Sequence, residues 1–432
     1  MLDIQLLRDK PEFVEKALAK RGLEVDFTNL LENDTNRRAK MTEVEGLKAK
    51  RNTLSDLVAQ LKRNKENADD VLVELRDLSA QIKVLDEEVE ELNSKQDKFL
   101  HGLPNIPDED LVAGGKENNQ VERIFGEKTE FNFEPKSHIE LSESLGIIDY
   151  ERGTKLSGHG FWIYRGDGAR LEWALLNYFV ETHYQDGYEM LLVPHILNRQ
   201  SGFTAGQFPK FEEDVFWLDA DEDTKEANRQ FILPTAETAV VNMHRDEILT
   251  EDSLPRKYFA YTPCYRREAG AHGASERGMI RGHQFNKVEM FQYTKPEDSD
   301  AAFEELVEKA AVLVSQLGLH YRISKLAAGD VSASMAKTWD IEIWIPSMNG
   351  YKEVSSVSNA RDYQARRGNV RYKSEEDGRN YYVNTLNGSG LATSRLLPAI
   401  LEQNQQEDGS VLIPAVLRKY MGDQTYIYPK EK

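Results

Sequence analysis

Residues 265–293 read YRREAGAHGASERGMIRGHQFNKVEMFQY, and the fold turns on how this stretch is arranged. It continues KYFAYTP (257–263), an aromatic-rich run that reads as a strand, and its last third, NKVEMFQYT (286–294), reads as another. With a polar, glycine-containing segment between them, the two suit a long hairpin. Side chains two apart share a face of a strand, so Arg266 and Glu268 point one way and Arg267 the other. Phe285 and Glu289, four apart, also share a face. One face of such a hairpin presents a guanidinium, two carboxylates and an aromatic ring. A second reading stays open at this point: a polar strand end with surface ion pairs, each worth about 0–1 kcal/mol.

Outward from the hairpin, FWL (216–218), QFIL (230–233), WDIEIWIP (339–346) and YYVNTLN (381–387) read as further strands. ARLEWALLNYFVETHY (169–184) reads as a helix with Leu171, Leu175, Tyr178 and Phe179 on one face, followed by strand-like YEMLLVP (188–194). Many strands at irregular spacing predict an α+β domain with a mostly antiparallel sheet, not a βαβ repeat. No glycine-rich loop of the Walker or dinucleotide type is present, so a bound nucleotide would need its phosphates held another way. Three more stretches set polar groups beside apolar runs: PTAETAVV (234–241) with Thr235 and Glu237, YKEVSSVSN (351–359) with Glu353 and Ser356, and NGSGLATSRLLPAILEQNQ (387–405) with Asn387, Ser389 and Arg395.

The N-terminal third has a different texture. Positions 40, 44, 47, 51, 54, 58 and 61, then 71, 75, 78, 82, 85, 89, 92, 96 and 99, keep the alternating three-and-four spacing of a coiled-coil seam. The short polar RNKENADD (63–70) predicts that two helices fold back on each other, each reaching roughly 50 Å at ~1.5 Å per residue. The first helix is basic: residues 35–65 hold nine Lys and Arg against three acids, while residues 66–100 hold eleven acids against four bases. Two readings fit that asymmetry: helix faces attracting one another, or a basic face laid on a phosphate backbone. LPNIPDEDLVAGGKENN (103–119) breaks the periodicity and reads as a linker. The expected organisation is residues 1–102 with the arm at about 27–100, a linker at 103–130, and a second domain at 131–432.

The 432 residues carry a net charge of −19, which argues against nonspecific coating of nucleic acid. The opening MLDIQLLRDKPEFVEKALAKRG mixes charge into every turn, unlike a secretory signal, and no run has the length of a membrane span. A cytoplasmic location is therefore expected. A single cysteine, Cys264, rules out an internal disulfide and a multi-thiolate zinc site, and the nine histidines show no ligand spacing, so no zinc is expected.

YRREAG…GMIRGHQFNKVEMF resembles the second signature motif of class II aminoacyl-tRNA synthetases, GSGLATSRLLPAILEQNQ resembles the third with Arg395 as its arginine, and the segment ending at Pro194 is similar to the first, which in that class builds the dimer interface. PTAE, HQFNKVE, EVSSVSN and the coiled-coil arm narrow the resemblance to bacterial-type seryl-tRNA synthetases, over essentially the whole chain. Arg267 stands where the family often has a small residue, and Ser394 where glycine is common. Prolyl and threonyl relatives usually add an anticodon domain, for which residues 396–432 are too few, and amino acid:carrier-protein ligases lack the arm. A non-enzymatic scaffold would be expected to lose charged site positions that are present here.

The resemblance implies a catalytic domain on a mostly antiparallel sheet flanked by helices, a homodimer, and activation of L-serine by ATP with Mg²⁺, then transfer to tRNA(Ser) and to tRNA(Sec). It implies ATP contacts from Arg266, Arg267, Glu268, Phe285, Glu353, Val354, Ser355, Ser356 and Arg395, with Arg266 on the α-phosphate, Arg395 on the γ-phosphate, Glu268 on the adenine amino group and Phe285 stacked on the base. Arg266 and Arg395 would be the catalytic pair, and Glu353 and Ser356 would hold Mg²⁺ with the phosphates. Thr235, Ala236, Glu237, Arg281, Glu289, Asn387 and Ser389 would bind serine, Arg281 taking its carboxylate; how Glu237 and Glu289 divide the ammonium and hydroxyl stays open. Arg37, Arg38, Lys48, Lys50, Arg51, Lys62 and Arg63 would contact tRNA, and the loop after Glu268 would close over ATP and the acceptor end. Pro398 is expected in the first turn of the helix that carries Arg395.

Overall fold

The computed structural model describes residues 1–219, 221, 224–268 and 278–430. The chain forms two units, one of residues 2–19 and 23–104, the other of residue 1, residues 20–22 and the chain from 105 onward. In the first, two short helices precede α1 (Thr28–Asn64) and α2 (Asp69–Gly102). Lys65, at φ 61°, ends α1, and the Asn67 side chain accepts from the Asp69 N–H at 2.8 Å to open α2. The turn therefore falls where the polar stretch predicts it.

The seam also follows the spacing. Val44, Val58, Leu78, Ile82 and Gln96 are buried, and the other predicted positions are half-buried with one exception: Phe99 is exposed and Leu100 takes its place inside. Across the seam Lys40 pairs with Glu88, Lys48 with Asp86 at 2.8 Å and Lys50 with Glu74 at 2.7 Å. Arg37 and Arg38 both reach the buried carboxylate of Asp34. No ion pair joins Arg51, Lys62 or Arg63 to another described residue.

The second unit is built on eight strands: β1 (Gln120–Phe125), β2 (Glu189–Leu191), β3 (Arg256–Tyr265), β4 (Gln284–Thr294), β5 (Tyr321–Lys325), β6 (Lys337–Ile345), β7 (Gly350–Arg361) and β8 (Asn384–Ala392). Their order is β1-β5-β6-β7-β8-β4-β3-β2, antiparallel except that β2 runs parallel to β3. The hairpin is real: Gln284 pairs with Tyr265 and Tyr293 with Arg256. Helices α3 (Asp167–Gln185), α4 (Ser299–Gln316) and α5 (Thr393–Gln403) bury their apolar faces in one core with Val288, Met290, Ile341, Val357 and Leu386. Leu171, Leu175, Tyr178 and Phe179 are inside, as their spacing requires.

Three expectations need correction. Part of the stretch read as linker is β1, whose Phe125 stacks on Tyr321 at 5.1 Å between ring centroids; an edge strand exposed along its whole length has no alternating pattern to betray it. β7, which is not among the stretches expected as strands, is the second: Ser356 and Ser358 mark its cavity side in place of apolar residues. Pro398 lies inside α5, beyond the first turn. No helix among the described residues is long and apolar enough to cross a membrane.

Candidate active site

Alternation along the central strands assembles the site. On β4, Val288 and Met290 face the helical core while Phe285, Lys287 and Glu289 face away from it. Glu289 pairs in register with Ser389 of β8, and Asn387 of β8 with Ser358 of β7. These side chains line a cavity of about 490 Å³ together with Thr235, Glu237, Arg266, Glu268, Arg281, Glu353, Val354, Ser356 and Arg395. Four separated sequence stretches thus meet in one place.

At the cavity's carboxylate end, the fully buried Glu289 accepts from Asn387 Nδ2 at 3.1 Å and forms an ion pair with Lys287. Lys287 also donates to Thr235 Oγ1 at 2.7 Å. Glu237 Oε1 accepts from Gln364 Nε2 at 2.8 Å, and burial, reinforced by the charge of Glu289, raises its carboxyl to about 7. Two acidic groups are therefore set near Lys287, and the charge of Arg266 also acts on Glu237.

Three arginines of the cavity are held by backbone carbonyls and acids. Arg266 donates to Pro234 O at 3.3 Å, with its guanidinium 5.2 Å from the centre of the Phe285 ring. Arg395, the third residue of α5, donates to Ile280 O at 3.2 Å and Glu353 O at 2.8 Å. Arg281 pairs with Glu268 at 2.6 Å. A neighbouring cavity of about 400 Å³ includes Arg281, Glu353, Ser356 and Arg395 but none of the residues around Glu237 and Glu289. Arg281 therefore lines both cavities, with Glu268 as its ion-pair partner.

Other expectations divide. Strand β3 stops at Tyr265 and Glu268 has φ 50°, so simple alternation does not place Glu268. Arg266 and Glu268 nevertheless both line the cavity, while Arg267 is exposed and does not. Ala236 is buried with Val240 and Tyr258, and Ser355 is turned inward, its Oγ donating to Ser389 O at 2.6 Å; neither side chain lines the cavity. The loop expected to close over the site, at 269–277, lies outside the described residues. Sequence reasoning missed Lys287, although it lies two residues from both Phe285 and Glu289 and so on their face.

A second missed residue stands behind the site. Glu172 of α3 is buried, and its Oε1 accepts from Asn286 Nδ2 of β4 at 2.7 Å and Thr393 Oγ1, the first residue of α5, at 2.6 Å. It ties the strand bearing Lys287 and Glu289 to the helix bearing Arg395. Burial raises its carboxyl to about 7 against those two hydrogen bonds. Close by, His183 Nε2 lies 2.6 Å from Gly390 O, and a Cβ at Gly390 would meet that nitrogen at 2.2 Å. Only glycine allows so close an approach.

Residues 216–404 match the tRNA synthetase class II core domain (G, H, P, S and T), the class that an antiparallel sheet with this constellation defines. Residues 1–107 match the seryl-tRNA synthetase N-terminal domain. The chain is 62% identical over 423 residues to serine–tRNA ligase 2 of Clostridium acetobutylicum, spanning 98% of this chain and 99% of that one, and 46% identical to serine–tRNA ligase of Thermodesulfovibrio yellowstonii, with 98% and 99% covered. Seryl-tRNA synthetase from Pyrococcus horikoshii, solved in complex with ATP, superposes with a TM-score of 0.90 at 35% identity over the full length of both chains. The chain belongs to the seryl-tRNA synthetase family of aminoacyl-tRNA ligases.

Proposed function

We propose that the enzyme activates L-serine with ATP and transfers the seryl group to tRNA(Ser), and to tRNA(Sec) through the same shape-based contact with the arm. The observation that carries this reading is one cavity lined both by Arg266, Arg281 and Arg395 and by Glu237, Glu289, Thr235 and Lys287. The ATP complex of the Pyrococcus relative and the AMP complex of cytoplasmic serine–tRNA ligase from Naegleria fowleri support the nucleotide assignment. Chemistry is assigned to the larger unit and tRNA binding to the arm. The reaction is assigned to the cytoplasm, where ATP and tRNA are available.

In the first step a serine carboxylate oxygen attacks the α-phosphorus of ATP and pyrophosphate leaves. Arg266 holds the α-phosphate beside the serine carboxylate, and Arg395, in the first turn of α5, meets the γ-phosphate with help from the helix N-terminus. Arg281, freed from Glu268, joins the phosphate side, which leaves Glu268 to accept from the adenine amino group beside Phe285. The nucleophile is already ionised, so positioning and charge stabilisation do the catalysis. In the second step the terminal ribose hydroxyl of tRNA attacks the seryl carbon and AMP leaves. Serine's ammonium and hydroxyl are shared between Glu237 and Glu289. A site built to bond that hydroxyl rejects alanine by leaving a buried group unpaired.

The carboxylate of Glu353 and the hydroxyl of Ser356 offer the hard oxygens that Mg²⁺ prefers, with phosphate oxygens completing its shell. Bound there, the ion would neutralise charge on the phosphates. A homodimer is supported by edge strand β2 and the segment after it, where Leu192 is 80% and Ile196 49% exposed; an edge with exposed apolar side chains is a pairing surface. The deciding experiment is ATP–pyrophosphate exchange with each of the twenty amino acids. Exchange with serine and not with alanine or threonine supports the reading; exchange with another amino acid in serine's place overturns it.

A further inference from the structure

We infer that Lys287 is a specificity-determining residue: its charge makes the amino-acid pocket accept a neutral side chain and refuse a cationic one. The inference rests on the serine-binding reading above and adds to it the rule by which the pocket counts charge.

Lys287 is buried, with a side chain 7% exposed, and projects into the cavity between Phe285 and Glu289. It does not reach out to solvent as a long side chain usually does. One contact is the ion pair with Glu289, the other the 2.7 Å hydrogen bond to Thr235 Oγ1. It is therefore fixed among the groups assigned to the substrate's ammonium and hydroxyl. Glu237 lies near enough for the charges of Lys287 and Arg266 both to favour its ionised form.

The consequence follows from counting. A zwitterionic amino acid brings one carboxylate, which faces the α-phosphate and the arginines, and one ammonium, which faces the acids. That ammonium and Lys287 together balance Glu237 and Glu289. A ligand with a second ammonium on its side chain would leave an unpaired cation among buried groups, which is costly. With Lys287 neutral, the count reverses: two carboxylates face a single substrate ammonium, and a second cation on the ligand is favoured. L-2,3-diaminopropionate is the natural probe, since it is serine with the hydroxyl replaced by an amine of similar size.

A Lys287 that served only to neutralise Glu289 and stabilise the fold would behave differently. Its removal would weaken activation of every amino acid by a similar factor and leave their ratio unchanged. The test is therefore pyrophosphate exchange by the full-length enzyme with L-serine and L-2,3-diaminopropionate side by side, comparing wild type with Lys287→Met. An ATP-induced thermal shift confirms that the variant is folded. Lys287→Gln, which keeps a donor for Thr235, serves as a second variant. The expected result is a fall of at least about tenfold in the serine-to-diaminopropionate ratio of kcat/KM, through both loss of serine activation and gain of the diamine. An unchanged ratio in a folded variant overturns the inference. Failure of the underlying reading is separable: wild type would then show no serine-dependent exchange, or Thr235→Ala and Glu289→Ala would leave the KM for serine unmoved.

Discussion

At the scale of single residues, Glu289 and Glu237 are chemically alike but differently set. Glu289 is tied to Lys287 and Asn387, whereas the carboxyl of Glu237 titrates at about 7. Glu289→Ala removes the partner of both Lys287 and the substrate, and serine-dependent exchange is expected to drop by a hundredfold or more (about 3 kcal/mol of transition-state stabilisation). On the proposed reading serine's polar groups meet Glu237 in its ionised form, so the KM for serine should fall as pH rises toward 7, by at most about tenfold per pH unit for one proton, and level off above it. Glu237→Gln should flatten that profile. Glu172 makes a separate prediction for stability. Its folded-state pKa of about 7 lies above the ordinary carboxyl value, so the folded state binds the extra proton and its stability declines as pH rises through the interval between the two. Full ionisation costs about 3 kcal/mol. Urea unfolding of Glu172→Gln across that interval should show a shallower decline than wild type; equal slopes would remove Glu172 as the cause.

At the scale of elements, the arm sorts its own cations. Lys40, Lys48 and Lys50 bridge to acids of α2, and Arg37 and Arg38 turn to Asp34. Attraction between the two helices therefore accounts for Lys40, Lys48 and Lys50. Arg51, Lys62 and Arg63, toward the turn, are the residues left to meet a phosphate backbone. Changing these three to Gln is expected to raise the KM for tRNA(Ser) about tenfold or more and to lower the salt slope of binding by about 2, with pyrophosphate exchange unaffected. The corresponding change at Lys48 and Lys50 should matter less. Heptad spacing made the seam legible because each helix satisfies its own backbone and only the side-chain period is needed. Strands are harder: β7 and β1 carry no apolar alternation, β7 because its cavity side is serine and β1 because it is exposed along its length.

At the scale of the whole molecule, the exposed edge at β2 predicts association. Leu192→Glu places a charge on the most exposed apolar residue beside that edge, and light scattering is expected to report a dimer for wild type and a monomer for the variant. A dimer that persists would move the interface elsewhere.

The sequence by itself determined the helical arm, the α+β class, the motif order and most of the site's chemical groups, because periodicities of 3.5 and 2 and the identities of charged residues are local properties. Only the tertiary structure decided that Arg281 pairs with Glu268, that Ala236 and Ser355 turn away from the cavity, and that Lys287 stands between Thr235 and Glu289. Those outcomes depend on which strand lies beside which, and on where the β3–β4 hairpin leaves regular geometry. Such pairings join residues dozens to more than a hundred positions apart, and local spacing does not specify them.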